Sequence, residues 1–307
     1  MNSDAPGFFT GKRLVVFGAG YVGAEVARQG LRRGLRVTAL TRNAGKAAQL
    51  AEAGVEVVVA DLADGDWHGR VDPDAEFVLD SVSSGGGGIE GYRRSYIEGL
   101  RSILEWAGKR RPRPGQGGPD PTAGVLVYTS STSVYPQDGG VRVDETAPTA
   151  GAGETAQVLL EAEALVGRWP GARSCVLRLA GIYGPRRHYL LDALRAGEPT
   201  VAGRGDFHLN LVHRDDITAA VWAAFATDEA RGIFNLSDDG AAPKAELVAW
   251  LAARLGRPVP VFTGEPATGR RAVTPDRIIA SDRARRVLGW RPRYPTFREG
   301  YAALLEA

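Results

Sequence analysis

Leu14-Val15-Val16-Phe17-Gly18-Ala19-Gly20-Tyr21-Val22-Gly23, near the start of this 307-residue chain, governs how the rest is read. A short apolar, β-prone run enters a Gly-x-Gly-x-x-Gly turn, and the helical pattern Val22 to Arg33 follows at once. In that setting each glycine has a physical task. Gly18 permits the tight turn, Gly20 lets backbone approach a pyrophosphate, and Gly23 lets the helix pack close to the strand. The helix N-terminus attracts phosphate charge, and Tyr21 and Val22 complete the loop. The stretch reads as a dinucleotide site.

Working outward, Leu35 to Leu40, Val55 to Ala60, Phe77 to Val82, Val125 to Thr129, Ser174 to Leu179 and Ile233 to Leu236 are further strand candidates. Most are continuous Val/Leu/Ile runs, as strands covered by helices on both faces require. Between them lie helical patterns at Lys46 to Ala53, Tyr92 to Gly108, Thr155 to Arg168 and Asp215 to Thr227. This alternation predicts an α/β fold with a doubly wound parallel sheet, a Rossmann fold. The pattern changes after Gly184, where polar, Pro- and Gly-rich stretches, a helix Lys244 to Leu255, a strand Val259 to Phe262 and a last helix near Phe297 to Leu305 suggest a smaller lobe. The expected division is residues 11–183 plus 210–237 for dinucleotide binding and 184–209 plus 238–307 for substrate. The Pro- and Gly-rich loop 111–121 reads as a mobile surface excursion, and the Gly-rich loop 83–88, at a strand end where ligand loops sit, reads equally as a flexible gate to a site or a plain linker.

The second strand ends in Thr41-Arg42-Asn43, with no carboxylate to hold a ribose 2′-hydroxyl. Arg42 can pair with a 2′-phosphate and stack on adenine, so NADP is the expected cofactor, with NAD the alternative. Asp61-Leu62 follows the third strand, where Asp61 meets an adenine edge or caps the next turn. Asp215-Asp216 reads as helix capping.

Composition narrows the function. With 38 Lys+Arg against 36 Asp+Glu, the net charge of +2 leaves no footprint for nucleic acid or an anionic membrane. The basic residues include only four lysines, Lys12, Lys46, Lys109 and Lys244. The single Cys175 lies in an apolar strand and reads as a packed thiol; it excludes a disulfide framework and multi-cysteine metal sites. His208 and His213 have no third metal ligand at a recognisable spacing, so no metal is expected. No signal peptide or 18-residue apolar run is visible, and the expected location is cytoplasmic.

Several further motifs carry a resemblance. They are Tyr128-Thr129-Ser130-Ser131-Thr132-Ser133-Val134-Tyr135, Asp144-Glu145-Thr146-Ala147-Pro148 and Leu177-Arg178-Leu179-Ala180-Gly181-Ile182-Tyr183-Gly184-Pro185. Val212-His213-Arg214-Asp215-Asp216-Ile217 and Leu288-Gly289-Trp290-Arg291-Pro292 complete the set. With the glycine turn they make the chain resemble the extended short-chain dehydrogenase/reductases, the NAD-dependent epimerase/dehydratase family, from Arg13 to Ala303. The resemblance implies a proton-transferring tyrosine, a lysine four residues later, and a serine holding the substrate oxygen. Ser131 matches the serine. The helix reads Thr155-Ala156-Gln157-Val158-Leu159, placing Thr155 and Leu159 at the tyrosine and lysine positions. The chain therefore resembles an atypical branch lacking that pair, and Phe17 stands where the branch usually has its first glycine. An aliphatic hydroxyl is too weak an acid to replace a phenol unaided. The resemblance also puts Ser81, Val82, Thr129, Leu179 and Ala180 beside the cofactor and Arg186, Arg187, His188 and His213 near the substrate. Leu209 and Gly181 occupy the positions of an Arg and an Asn used by nucleotide-sugar enzymes, which argues against such a substrate.

The expected catalytic group is Ser131 holding the substrate oxygen, with Tyr183, His188 or solvent relayed through Thr155 supplying the proton. The expected protein is an NADP-dependent oxidoreductase, or an epimerase/dehydratase-like enzyme, acting on a small hydroxyl or carbonyl compound. The alternative is a non-catalytic NADP-binding redox sensor. A homodimer through the helices at 92–108 and 155–168 is a further expectation.

Overall fold

The computed structural model describes residues 7–84, 86–110, 124–265 and 275–306. The loop expected at 111–121, and Gly85 of the other one, lie outside them. Seven parallel strands form the central sheet: β1 (Arg13–Phe17), β2 (Arg36–Thr41), β3 (Glu56–Val59), β4 (Phe77–Asp80), β5 (Val125–Ser131), β6 (Arg173–Leu179) and β7 (Gly232–Leu236). Their order is β7-β6-β5-β4-β1-β2-β3, so the winding reverses between β1 and β4. A crevice opens outside the carboxyl ends of the strands at such a point.

Helices α1 (Gly23–Arg32), α2 (Ala44–Glu52), α3 (Gly88–Arg93), α4 (Gly99–Ala107), α5 (Glu154–Val166) and α7 (Arg214–Ala226) lie between or beside these strands. Two apolar cores flank the sheet because strand side chains alternate faces. Leu14, Val16, Leu177 and Phe225 belong to one, and Val15, Phe17, Trp67, Trp106 and Leu126 to the other. Phe17 is accommodated in the second core, its ring 5.0 Å from Trp67 and 5.2 Å from Trp106, clear of the turn that follows it. Cys175 is buried in the first core, and that burial pushes its thiol up to about 12.

Three differences from the sequence reading have physical causes. The helix expected at Tyr92 to Gly108 begins earlier, at Gly88, and is interrupted by a π-helical turn, Arg94–Glu98. Within the polar stretch after Pro185 lies a further helix, α6 (Tyr189–Ala196), which buries Leu190, Leu191 and Leu194. Two turns give too little periodicity to recognise. Asp216 is a buried acceptor for the Arg293 and Tyr294 N–H groups, at 2.6 and 3.2 Å, and binds a distant segment to α7; the cap of α7 is His213, which accepts from the Asp215 N–H.

A separate cluster packs α6 against α8 (Lys244–Leu255) and α10 (Phe297–Glu306), with Leu191, Leu251, Phe297 and Tyr301 at its centre. Helix α9 (Asp282–Leu288) returns to the main core through Ala284 and Leu288. The strand expected at Val259 shortens to Val261–Phe262, paired in parallel with Thr200–Val201.

Candidate active site

The crevice forms where the turn after β1 meets the turn after β4. The Ser81 N–H donates to the Phe17 carbonyl at 2.8 Å, locking the two strand ends together. Gly18 has φ +80°, and a Cβ there would come within 2.6 Å of the Ser81 backbone. A Cβ at Gly23 would come within 2.3 Å of the Gly18 carbonyl oxygen. Gly20 differs, because a Cβ there would meet nothing within 4 Å. Gly18 and Gly23 thus permit the fold, while Gly20 faces open space that a ligand can fill.

Two cavities of about 410 and 310 Å³ share Gly20, Ser81, Val82 and Ser83 as walls. The first is lined by Gly18, Thr41, Arg42, Asn43, Lys46, Asp61, Leu62 and Arg94. Asn43 caps α2 by accepting from the Lys46 N–H at 2.9 Å, which fixes the base of the lysine at this wall. Asp61 accepts from the Ala63 N–H at 3.0 Å and lies 3.3 Å from Arg94 and 3.6 Å from Arg42. Partial burial opposes its ionisation. The Ala63 N–H and the two guanidinium groups outweigh that and hold the carboxyl below its usual range. Arg94 is also paired with Asp64 and Glu98, so Arg42 and Lys46 are the cations this wall offers most readily to phosphate or adenosine groups.

The second cavity is lined by Tyr21, Val22, Tyr96, Thr129, Ser131, Leu159, Leu179, Ala180 and Arg187, among others. Ser131 stands at the end of β5, its Oγ accepting from the Ser133 N–H at 3.1 Å, so the hydroxyl proton remains available to donate. The Tyr21 hydroxyl donates to the Pro185 carbonyl at 2.9 Å, which joins the glycine turn to the segment after Tyr183. The guanidinium groups of Arg187 and Arg214 stand 5.5 and 5.4 Å from the Tyr21 ring.

All of Gly18, Gly20, Tyr21, Val22, Thr41, Arg42, Asp61, Leu62, Ser81, Val82, Thr129, Leu179 and Ala180 line one cavity or the other. Gly23 stands behind them as a packing residue. The proton carriers named from sequence are placed elsewhere. Tyr183 is buried in the α6/α8/α10 cluster, stacked 4.9 Å from Tyr301, its hydroxyl without a partner and pushed far above its ordinary range by burial. Its neighbours are His213, at 5.2 Å between ring centroids, and the carboxyl groups of Asp238 and Asp216, and it lines neither cavity. His188 precedes α6, its Nδ1 2.9 Å from an Asp192 carboxylate oxygen at an angle that makes no hydrogen bond. Neither it nor Thr155 lines either cavity; from α5 it is Leu159 that reaches the wall. His213 is a buried cap, its imidazole lowered to about 4, mainly by desolvation.

Lys46, Arg94 and Tyr96 are among the wall residues that the sequence reading did not assign to the site. Lys46 carried a signal, standing three residues after a capping asparagine as one of four lysines. Arg94 and Tyr96 carried none, since they arrive on the π-helical turn from across the crevice. Among the described residues no group of three or more His, Cys, Asp or Glu side chains is arranged to hold a metal, and no helix is long and apolar enough to cross a membrane.

Residues 14–237 match the model of the NAD dependent epimerase/dehydratase family. Protein YeeZ of Escherichia coli K12 is 28% identical over 292 residues, covering 92% of this chain and 97% of that protein. A 3-diazoavenalumate denitrifying reductase of a Streptomyces species is 34% identical over 179 residues, 54% of this chain and 58% of the reductase. The solved structure of a functionally unknown conserved protein from Silicibacter pomeroyi DSS superposes with a TM-score of 0.75 at 24% identity, covering 96% of this chain and 98% of that one. With the family match spanning most of its length and a seven-stranded parallel sheet to carry it, the chain belongs to the NAD dependent epimerase/dehydratase family, among the extended short-chain dehydrogenase/reductases.

Proposed function

We propose that the protein is an NADP-dependent oxidoreductase of a small carbonyl or hydroxyl compound, working without a tyrosine and lysine pair on α5. The observation that carries this reading is the polarity of the crevice. Arg42, Lys46 and Arg94 gather at one end, and Ser131 stands among Leu159, Leu179 and Ala180 at the other. The open face of Gly20 and the N-terminus of α1 receive the pyrophosphate, and Arg42 and Lys46 receive the 2′-phosphate. When bound, the cofactor supplies hydride chemistry at the nicotinamide C4. Ser131 Oγ donates to the substrate oxygen, and the apolar wall limits water at that end. Leu209, where nucleotide-sugar enzymes place an arginine, packs against the α6/α8/α10 cluster and offers no diphosphate contact. The Streptomyces relative, by its name a reductase, supports net reduction.

Calorimetric titration is expected to show NADPH binding more tightly than NADH, with Arg42→Ala removing most of the difference. NADPH consumption across a panel of ketones and aldehydes is expected to depend on Ser131, falling by roughly 100-fold or more in Ser131→Ala. Equal binding of both cofactors in wild type and Arg42→Ala overturns the NADP assignment. Tight NADPH binding with no turnover of any compound favours a redox sensor, the reading that Leu159 on the cleft wall supports.

A further inference from the structure

We propose that Tyr96 is the catalytic phenol of this site, donating the proton from the β4 side of the crevice in place of the tyrosine absent from α5. This rests on the oxidoreductase reading above. Tyr96 lines the same cavity as Ser131, Leu179 and Ala180, in contrast to Tyr183, Thr155 and His188. It stands in the middle of the π-helical turn Arg94–Glu98, between α3 and α4. A π-helical turn inserts an extra residue into a helix and occurs frequently at functional sites because it re-aims a side chain at the cost of regular hydrogen bonding. Here Ile97 goes into the core, and its neighbour Tyr96 stays on the cavity wall.

Packing and a hydrogen bond hold the phenol. Its ring packs against the cluster of Val134, Tyr135, Ala156 and Leu159. Leu159 belongs to that cluster and lines the same cavity, so this wall of the site is apolar where a lysine would have carried charge. Its hydroxyl oxygen accepts from the Ser84 N–H at 3.3 Å. That bond occupies a lone pair and leaves the phenolic proton for a substrate. The Ser84 N–H also stabilises the phenolate left after transfer.

The ionisable groups around Tyr96 are Tyr92 on the same helical run, its ring centroid 5.3 Å away, Asp80 at the end of β4 and the buried Tyr128 of β5. Burial, with Tyr92 and Asp80, pushes the phenol up to about 12, so the resting side chain is an acid rather than a base. Asp80 is itself fully buried and pushed up to about 7. In carbonyl reduction, hydride brings two electrons to the carbonyl carbon and the C=O π pair moves onto oxygen. The Tyr96 Oη–H bond breaks and its proton forms the new O–H bond, while Ser131 Oγ donates a hydrogen bond to the same oxygen. Water then returns a proton to the phenolate.

The test compares wild type with Tyr96→Phe and Tyr92→Phe, both of which keep their rings. The tyrosinate ultraviolet difference band is titrated with pH, alone and with saturating NADP+ or NADPH. NADP+, whose ring is positive, is expected to draw one phenol ionisation to lower pH in wild type and Tyr92→Phe, and NADPH is not. Tyr96→Phe is expected to lose that shift while NADPH fluorescence still reports an unchanged Kd. On any carbonyl probe that wild type turns over, Tyr96→Phe is expected to lose about 100-fold in kcat. A shift that persists in Tyr96→Phe, or a kcat within a few-fold of wild type, overturns the assignment and leaves the oxidoreductase reading intact. Failure of either dinucleotide to bind wild type overturns both.

Discussion

The three turn glycines do different work, and their substitutions separate folding from binding. Gly20→Ala places a methyl group in open crevice at an ordinary backbone conformation, so thermal unfolding is expected to stay near wild type while NADPH affinity falls. Gly23→Ala drives a methyl group into the Gly18 carbonyl oxygen, and destabilisation of about 1–3 kcal/mol is expected from the forced separation of helix and strand. Paired denaturation and fluorescence titrations distinguish the two. Equal loss of stability in both variants contradicts the division. Arg42 illustrates a further point. Its pairing with Asp61 at 3.6 Å is exposed and weak, so a phosphate can recruit the guanidinium at little cost.

Among the elements, α5 carries Thr155 and Leu159 at the family's tyrosine and lysine positions, as read from sequence, and it is tied to the sheet by a buried network. Glu163 accepts from Arg178 Nη2 at 2.6 Å and from Ser130 Oγ at 2.6 Å. Arg178 Nη1 donates to the Tyr135 hydroxyl at 2.8 Å, which donates to Asn235 Oδ1 at 2.9 Å. Strands β5, β6 and β7 are thus pinned to α5 directly beneath Ser131 and Leu159. Both charges are almost fully enclosed, so Glu163→Gln leaves a buried guanidinium poorly neutralised, and a loss of about 3–5 kcal/mol is expected by urea denaturation. A change below 1 kcal/mol would show that the pair is idle. The π-helical turn is the second informative element. Periodicity identified a helix over this segment, but the inserted residue is a backbone choice imposed by packing, and no residue type announces it.

For the molecule as a whole, the crevice walls come from the carboxyl ends of β1 to β6 and the turns after them, from α2 and α5, from the π-helical turn Arg94–Glu98, and from the segment after Tyr183. No unfolded chain presents this arrangement, so dinucleotide binding draws only on the native state. NADPH at one hundred times its Kd is therefore expected to add about 2.7 kcal/mol to the unfolding free energy, read as a rise in Tm. An unchanged Tm at that saturation would show that the crevice is not its site. The tie from the Tyr21 hydroxyl to Pro185, and that from Asp216 to Arg293 and Tyr294, bring distant segments around this one opening.

Strand and helix alternation, the glycine turn and the places of Ser131 and Arg42 at strand ends on the crevice wall were legible along the chain, because each depends on neighbours within a few residues. The seven-stranded sheet appeared where those patterns put it. The full lining of the crevice was not legible. Tyr183 and His188 are near the right strand end in sequence, but Tyr183 turns into a second apolar core and neither lines the crevice. Tyr96 and Arg94 reach it from a segment that no local pattern connects to β5 or α5. Periodicity specifies which residues face inward; which inward-facing groups share a cavity follows from how the elements pack around the reversal of the sheet.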